Sequence, residues 1–255
     1  MPWVAAGAST VGPSHVRRGV PGDDAHAYRV VGGIVILVVC DGAGSALRGR
    51  EAARHLSVAL VEVVSEWCAD AVAEPDLGEV SDELVRGWFA TLRASLVDLA
   101  SAADAALAEH HSTVILVLAT PQATIAAHIG DGVALRQADG QWSVLSWPEH
   151  GAYAGETVFL DDADLARDLR IARTAGSAAV AAASDGFDPF LIHHAQRRVL
   201  PHQLEPLRGA FLAGAADAAW DAQLAAYIAN PVFDEHGDDD RTLVLAVWQG
   251  EPCPG

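Results

Sequence analysis

The sequence predicts an α+β layered domain, a mostly antiparallel sheet with long helices packed outside it. Three observations predict this. Short apolar runs gather before and after a pair of long helix-patterned segments. Strand and helix patterns show no strict alternation, so the parallel sheet that βαβ units build is not expected. One run, Ile34 to Cys40, is apolar at every position, which marks a central strand covered on both faces.

Each element has its own signal. Val30-Val31, Gly32-Gly33 and Ile34 to Cys40 read as a β-hairpin with a Gly-Gly turn. Ala53, Leu56, Leu60, Val63 and Trp67 then recur at helical spacing, with Glu51, Arg54, Glu62 and Glu66 between them. Glu74-Pro75-Asp76-Leu77-Gly78 ends that helix. Ser81 is an N-cap with Asp82 and Glu83 in the first turn, and Leu84, Trp88, Leu92, Leu96 and Leu99 mark a second helix. Thr113 to Thr120 and Ala123 to Gly130 are strands about a Pro121-Gln122 turn. Val133 to Gln137 and Gln141 to Trp147 flank Asp139-Gly140, a type I′ hairpin signal. Glu156 to Leu160 and the small-residue run Ala178 to Ser184 are further strands. Leu200 to Asn230 is Ala-rich and holds two helices, Thr242 to Trp248 is the closing strand, and 249–255 a loose tail. No linker interrupts the order, so a single domain over residues 1–255 is expected, with its core at about 3–248.

Composition bounds the function. Of 255 residues, 51% are hydrophobic, enough for one well-packed domain. All 16 basic residues are arginine and the net charge is -18, which argues against nucleic acid and against anionic membrane as partners. Cys40, Cys68 and Cys253 have no ligand-like spacing, and Met1 to Gly12 does not resemble a secretory leader. No apolar run approaches the ~20 residues that span a bilayer. A cytoplasmic protein with reduced thiols is expected.

The chemistry lies at the ends of the apolar runs. Ile34 to Cys40 ends in Asp41-Gly42, Ala123 to Gly130 in Asp131-Gly132, and Ala178 to Ser184 in Asp185-Gly186; Asp239 opens the last run. A carboxylate at the end of a buried strand is costly unless compensated. Several from distant parts of the chain suggest one shared compensator, and a divalent cation takes such oxygen ligands. Asp139-Gly140 is the internal control, a plain turn between alternating strands. Asp41-Gly42 and Asp185-Gly186 instead leave their strands for non-strand segments. A further acidic pair, Asp23-Asp24, precedes the first hairpin.

Taken together these segments resemble the metal-dependent protein phosphatases of the PPM, or type 2C, family, over about Trp3 to Trp248. Asp23-Asp24-Ala25-His26 is similar to the family's early acidic motif, Val38-Val39-Cys40-Asp41-Gly42-Ala43-Gly44-Ser45 to its central Asp-Gly motif, and Ile129-Gly130-Asp131-Gly132 to its Gly-Asp motif. Ala183-Ser184-Asp185-Gly186-Phe187 is similar to its Ser-Asp-Gly motif, and Asp239-Asp240-Arg241-Thr242-Leu243-Val244 to its closing Asp-Asn-x-Thr motif, with Asp240 in the asparagine place. Ser14 to Gly19 and His150 to Leu160 resemble a bacterial branch. The resemblance implies a sandwich of two antiparallel β-sheets flanked by α-helices.

It also implies a site. Asp41 would bridge two Mn²⁺ or Mg²⁺ ions and the Gly42 carbonyl would ligate one; Asp185 and Asp239 would ligate the other. Asp24 and Asp23 would hold metal-bound waters, and Asp131, with Asp188, would match a third metal site. Asp188 sits one residue closer to Asp185 than the usual spacing. Arg17 or Arg18 would clamp phosphate with its guanidinium fork. The implied reaction is hydrolysis of phosphoserine or phosphothreonine in a protein, by a hydroxide bridging the two ions, with Asp41 and Asp24 central to catalysis.

Two departures support an alternative, a catalytically weak phosphatase-like module that binds a phosphorylated partner. Ala43 stands where many eukaryotic members carry a general-acid histidine. Only Asp161 to Ser177 separates the expected Phe159-Leu160 strand from the next, which reads as a short flap. The adjacent pairs His110-His111 and His193-His194 do not point side chains at one ligand and are not read as metal sites.

Overall fold

The computed structural model describes residues 3–70, 76–149, 157–214, 219–235 and 237–250. In chain order the elements are β1 (Trp3–Thr10), α1 (Pro13–Arg18), β2 (Asp24–Val31), β3 (Ile34–Asp41), α2 (Gly49–Asp70), α3 (Asp82–Ala102), β4 (Val114–Ala119), β5 (Ala123–Ile129), β6 (Val133–Ala138) and β7 (Gln141–Ser146). They continue with β8 (Arg170–Ala175), β9 (Ala179–Ala183), β10 (Ile192–His193), β11 (Arg198–Val199), α4 (Leu204–Ala213), α5 (Trp220–Ile228) and β12 (Arg241–Trp248). Two five-stranded antiparallel sheets result, ordered β1-β12-β9-β6-β7 and β2-β3-β4-β5-β8.

The period-2 geometry of a strand explains the all-apolar β3. Val35, Leu37 and Val39 face the second sheet and meet Val180, Ala182, Val244 and Ala246 in a dry middle layer. Ile34, Ile36, Val38 and Cys40 face outward and are covered by Leu56, Leu60 and Val64 of α2 and Phe89, Leu92 and Leu96 of α3. The other sheet is covered on its outer face by Phe211 of α4 and Trp220, Leu224 and Ile228 of α5. The order of layers is therefore helix, sheet, sheet, helix, as the resemblance implies. In β9 Val180 and Ala182 face the middle layer, and Ala179, Ala181 and Ala183 face the helices α4 and α5. The Ser81 side chain caps α3 at the Leu84 N–H, 3.1 Å away. Both Asp139 (φ +51°) and Gly140 (φ +75°) have positive φ, the type I′ geometry expected of the control turn. No helix among the described residues is long and apolar enough to cross a membrane.

Three expectations need correction. Residues 157–159 are irregular and Leu160 lies in a turn, so no strand forms over the described part of Glu156 to Leu160. The Leu160 N–H instead donates to the Ser112 carbonyl at 3.0 Å, which fixes this stretch beside β4. Second, the segment read as a short flap is partly sheet: β8 pairs with β5 from Arg170 to Ala175. Arg170 and Arg173 masked that strand by breaking its apolar pattern. Third, β1 was not foreseen; its alanines, glycine and serine have little strand propensity, and it is held by full-length pairing with β12. Residues 74–75, 150–156 and 253, on which other expectations fell, lie outside the described residues.

Candidate active site

Antiparallel pairing brings the C-terminal ends of β3, β5 and β9 and the N-terminal ends of β2, β4 and β12 to one end of the sandwich. Each of these ends carries or adjoins an aspartate named above, apart from the start of β4, where Thr113 sits. They surround a cleft of about 360 Å³ lined by Asp23, Asp41, Asp131, Asp185, Asp239 and Asp240, together with His15 and Arg18. The Gly42 to Ser45 loop forms one wall, and Thr157 and Phe159 another. Carboxylate oxygens of Asp41, Asp131 and Asp185 lie within 4.8 Å of one another, and ligand atoms of His15, Asp239 and Asp240 form a second group of the same span.

Local packing fixes each side chain. The Asp41 N–H donates to Thr113 Oγ1 at 3.0 Å. Thr157 donates its hydroxyl to Asp131. The β2–β3 register sets Asp24 opposite Asp41. The Asp24 carboxylate turns toward β9 and accepts from Ser184 Oγ at 2.7 Å. The glycines of these pairs serve close backbone contact, since none has positive φ. A Cβ at Gly42 would lie 2.3 Å from the Gly49 carbonyl carbon, and one at Gly186 would lie 1.9 Å from the Asp240 carbonyl oxygen. Their partner is thus the chain's own backbone, a use different from the close approach to ions that the sequence suggests.

The electrostatics are those of uncompensated negative charge. Among the described residues, no arginine or histidine forms an ion pair with Asp41, Asp131, Asp185 or Asp239. Loss of water, then the charges of Asp24, Asp185 and Asp239, push the Asp41 carboxyl well above the ordinary range. Burial raises Asp24 to about 7 against the hydrogen bonds from Ser184 and Thr242. It raises Asp185 to about 6, helped by Asp131 and Asp239. Asp185 Oδ1 is buried with no hydrogen-bond partner. An orphaned carboxylate oxygen inside an oxygen-only cluster fits a hard divalent cation.

The two arginines separate. Arg18 lines the cleft while its Nε donates to the Ser14 carbonyl at 3.3 Å. Arg17 points to the surface and forms a two-pronged pair with Asp238 at 3.2 and 2.6 Å. The structure therefore brings only Arg18 to the cleft. Asp188 is not among the lining residues either; it is buried against His194 Nε2 at 3.0 Å. Asp24, opposite Asp41 in the β2–β3 register, is not among the lining residues.

Two residues with large parts in the site escaped the sequence reading. Asp240, noted only as a departure from asparagine, is buried and accepts from Gly12 N (2.7 Å), Asp23 N (2.6 Å) and His15 Nδ1 (2.9 Å). His15 also reaches Asp23 through Nε2 at 3.3 Å. Gly12 and Gly22 were the available signals, because a Cβ at either would strike residues 239 or 240.

Comparisons with known proteins agree with this geometry. A family model described as Protein phosphatase 2C matches residues 11–228. Serine/threonine-protein phosphatase 3 of Escherichia coli (strain K12) is 28% identical over 260 residues, covering 97% of this chain and 99% of its own. A solved bacterial serine phosphatase shares the fold with a TM-score of 0.66 at 14% identity, over 97% of this chain and 98% of that one. Serine/threonine phosphatase Stp1 from Staphylococcus aureus does so with a TM-score of 0.65 at 16% identity, over 96% and 95%. With its unpaired carboxylates gathered at one end of the sandwich, the chain belongs to the protein phosphatase 2C family and is a metal-dependent protein phosphatase.

Proposed function

We propose that the protein hydrolyses phosphoserine and phosphothreonine in a cytoplasmic protein substrate, as one domain using Mn²⁺ or Mg²⁺. The observation that supports this most is the cluster of Asp41, Asp131, Asp185 and Asp239 without a basic counter-charge. Asp41, the Gly42 carbonyl, Asp185 and Asp239 would hold the two ions, and Asp131 would serve a third. When bound, the ions supply positive charge to the phosphoryl oxygens and acidify water, both of which monoester hydrolysis requires.

The remaining parts belong to the chain. Arg18 offers a planar fork of donors to the phosphoryl dianion. The His15–Asp240 pair holds Asp23 at the cleft. Asp24 is a positioning residue, since it reaches the cleft only through Asp41 and Ser184. Ala43 has no proton to give, so protonation of the leaving oxygen falls to water in the open cleft. The alternative of a binding module without turnover rests on Ala43 and on the short segment before β8, and the intact cluster of Asp41, Asp185 and Asp239 disfavours it.

The test is turnover. The purified protein with Mn²⁺ is expected to release phosphate from a phosphothreonine peptide and to stop on addition of chelator. Absence of metal-dependent release with either Mn²⁺ or Mg²⁺ would reject the proposal.

A further inference from the structure

Beside the cleft lies a second concavity, a groove of about 670 Å³ lined by Leu47, Arg48, Arg50, Glu51, Arg54 and Glu109. The two share a wall, the loop from Gly42 to Arg48, which is tied down where Ala43 N donates to the His111 carbonyl (3.0 Å) and Arg48 N to the Glu109 carbonyl (2.9 Å). The groove's carboxylates are both engaged. Glu51 pairs with Arg48 at 2.7 Å, and Glu109 turns back to accept from the Ala106 N–H at 3.2 Å. Arg50 and Arg54 are left, one helical turn apart on α2, and neither guanidinium has an ion pair or side-chain hydrogen bond among the described residues.

The chain carries 34 acidic against 16 basic residues. The exposed arginines Arg17, Arg167 and Arg173 are each paired with an aspartate, whereas Arg50 and Arg54 are left without one beside the cleft. Beside the two unpaired guanidiniums, Leu47 is 86% exposed. Arg50 is also electrically close to the cleft: burial raises the Asp23 carboxyl, and His15, Arg18 and Arg50 oppose that rise.

We propose that this groove binds the acidic residues flanking the phosphorylated residue of a protein substrate, and so selects substrates by sequence. The inference rests on the phosphatase reading above. A phosphopeptide seated with its phosphate between Arg18 and the carboxylate cluster runs on across the shared wall into the groove. Its aspartates or glutamates then meet Arg50 and Arg54, and an apolar neighbour meets Leu47. The net charge of -18 disfavours an acidic segment over most of the chain, so two unpaired guanidiniums next to the cleft supply the local attraction.

The test uses two fluorescently labelled phosphothreonine peptides, one flanked by aspartates and one by serines, with a small aryl phosphate too short to reach the groove. The wild-type protein with Mn²⁺ is expected to favour the aspartate peptide roughly tenfold in kcat/KM, mostly through KM, the size of two exposed charge pairs together. High salt should erase the preference. Arg54→Gln should bring it within about twofold and Arg54→Glu should invert it, with aryl phosphate turnover unchanged.

A wild-type protein without preference, or a preference that survives both substitutions, overturns the proposal. So does an equal loss of aryl phosphate turnover in Arg54→Gln, which would place Arg54 at the metal centre. If nothing is turned over, the phosphatase reading fails, and fluorescence anisotropy decides docking separately. Binding of the aspartate peptide that Arg54→Glu weakens supports the groove; no binding overturns it. A dimer in solution that Leu47→Glu dissociates would make the groove a self-interface and also overturn it.

Discussion

Asp240 illustrates how a single buried carboxylate can organise the groups around a site. Its two oxygens satisfy three donors, from Gly12, His15 and Asp23. An asparagine there, as in the family's closing motif, has one oxygen; its amide would confront one of those donors with another donor. Asp240→Asn is expected to lower the stability of the metal-free protein by about 1–2 kcal/mol and Asp240→Ala by about 3 kcal/mol, read by urea denaturation. Asp41→Asn and Asp239→Asn should instead leave the fold intact and cut phosphatase turnover by roughly 10³-fold, the loss of several kcal/mol of charge stabilisation. Asp139→Asn, in the control turn, should change turnover less than about twofold. Equal damage from Asp139→Asn and Asp41→Asn would contradict this sorting of the Asp-Gly pairs. The sorting was legible because a turn is flanked by two partner strands and a site aspartate is not. The choice between Arg17 and Arg18 was not legible. Successive residues of a helix point about 100° apart, so the rotation of α1 decides it, and distant residues 238–240 set that rotation.

Among the elements, legibility followed how locally each is stabilised. β3 and β4 announce themselves because both faces are buried and every position is apolar up to Asp41 in β3 and throughout β4. α3 does so through its apolar spacing and the Ser81 cap. Ser81→Ala is expected to cost about 1 kcal/mol, a fall of about 2–4 °C in melting temperature, with turnover unchanged. A loss of activity in that variant would couple α3 to the site in a way its position behind the sheet does not suggest. β1 and β8 went unread because they depend on partners remote in sequence. β1 lies opposite β12 at the other end of the chain, and β8 is an edge strand whose arginines reach sideways: Arg170 to the Gly130 carbonyl (2.7 Å) and Arg173 to Asp82 (2.7 Å). The Arg170 bond ties that edge to the Gly-Asp turn carrying Asp131. The same non-locality hid the His15–Asp240 pair, whose members are joined only when β1 and β12 align.

At the scale of the whole molecule, the layered core spends its free end on a concentration of like charge. Asp24 and Asp185, raised from 3.8 to about 7 and about 6, hold protons in the folded chain that the unfolded chain has already released. The folded state therefore binds more protons between about pH 4 and pH 7, and metal-free stability falls as pH rises through that window. A divalent cation binds the ionised cluster of the folded state alone, so its stabilisation runs the opposite way. The measurement that tests the central claim most directly is the gain in melting temperature on adding Mn²⁺, followed with pH in the wild-type protein and in Asp41→Asn. The gain is predicted to grow from about pH 5 to about pH 7.5, as the raised carboxyls ionise, and to vanish in the variant. A gain that is flat with pH, or intact in Asp41→Asn, would place the metal somewhere other than this end of the sandwich.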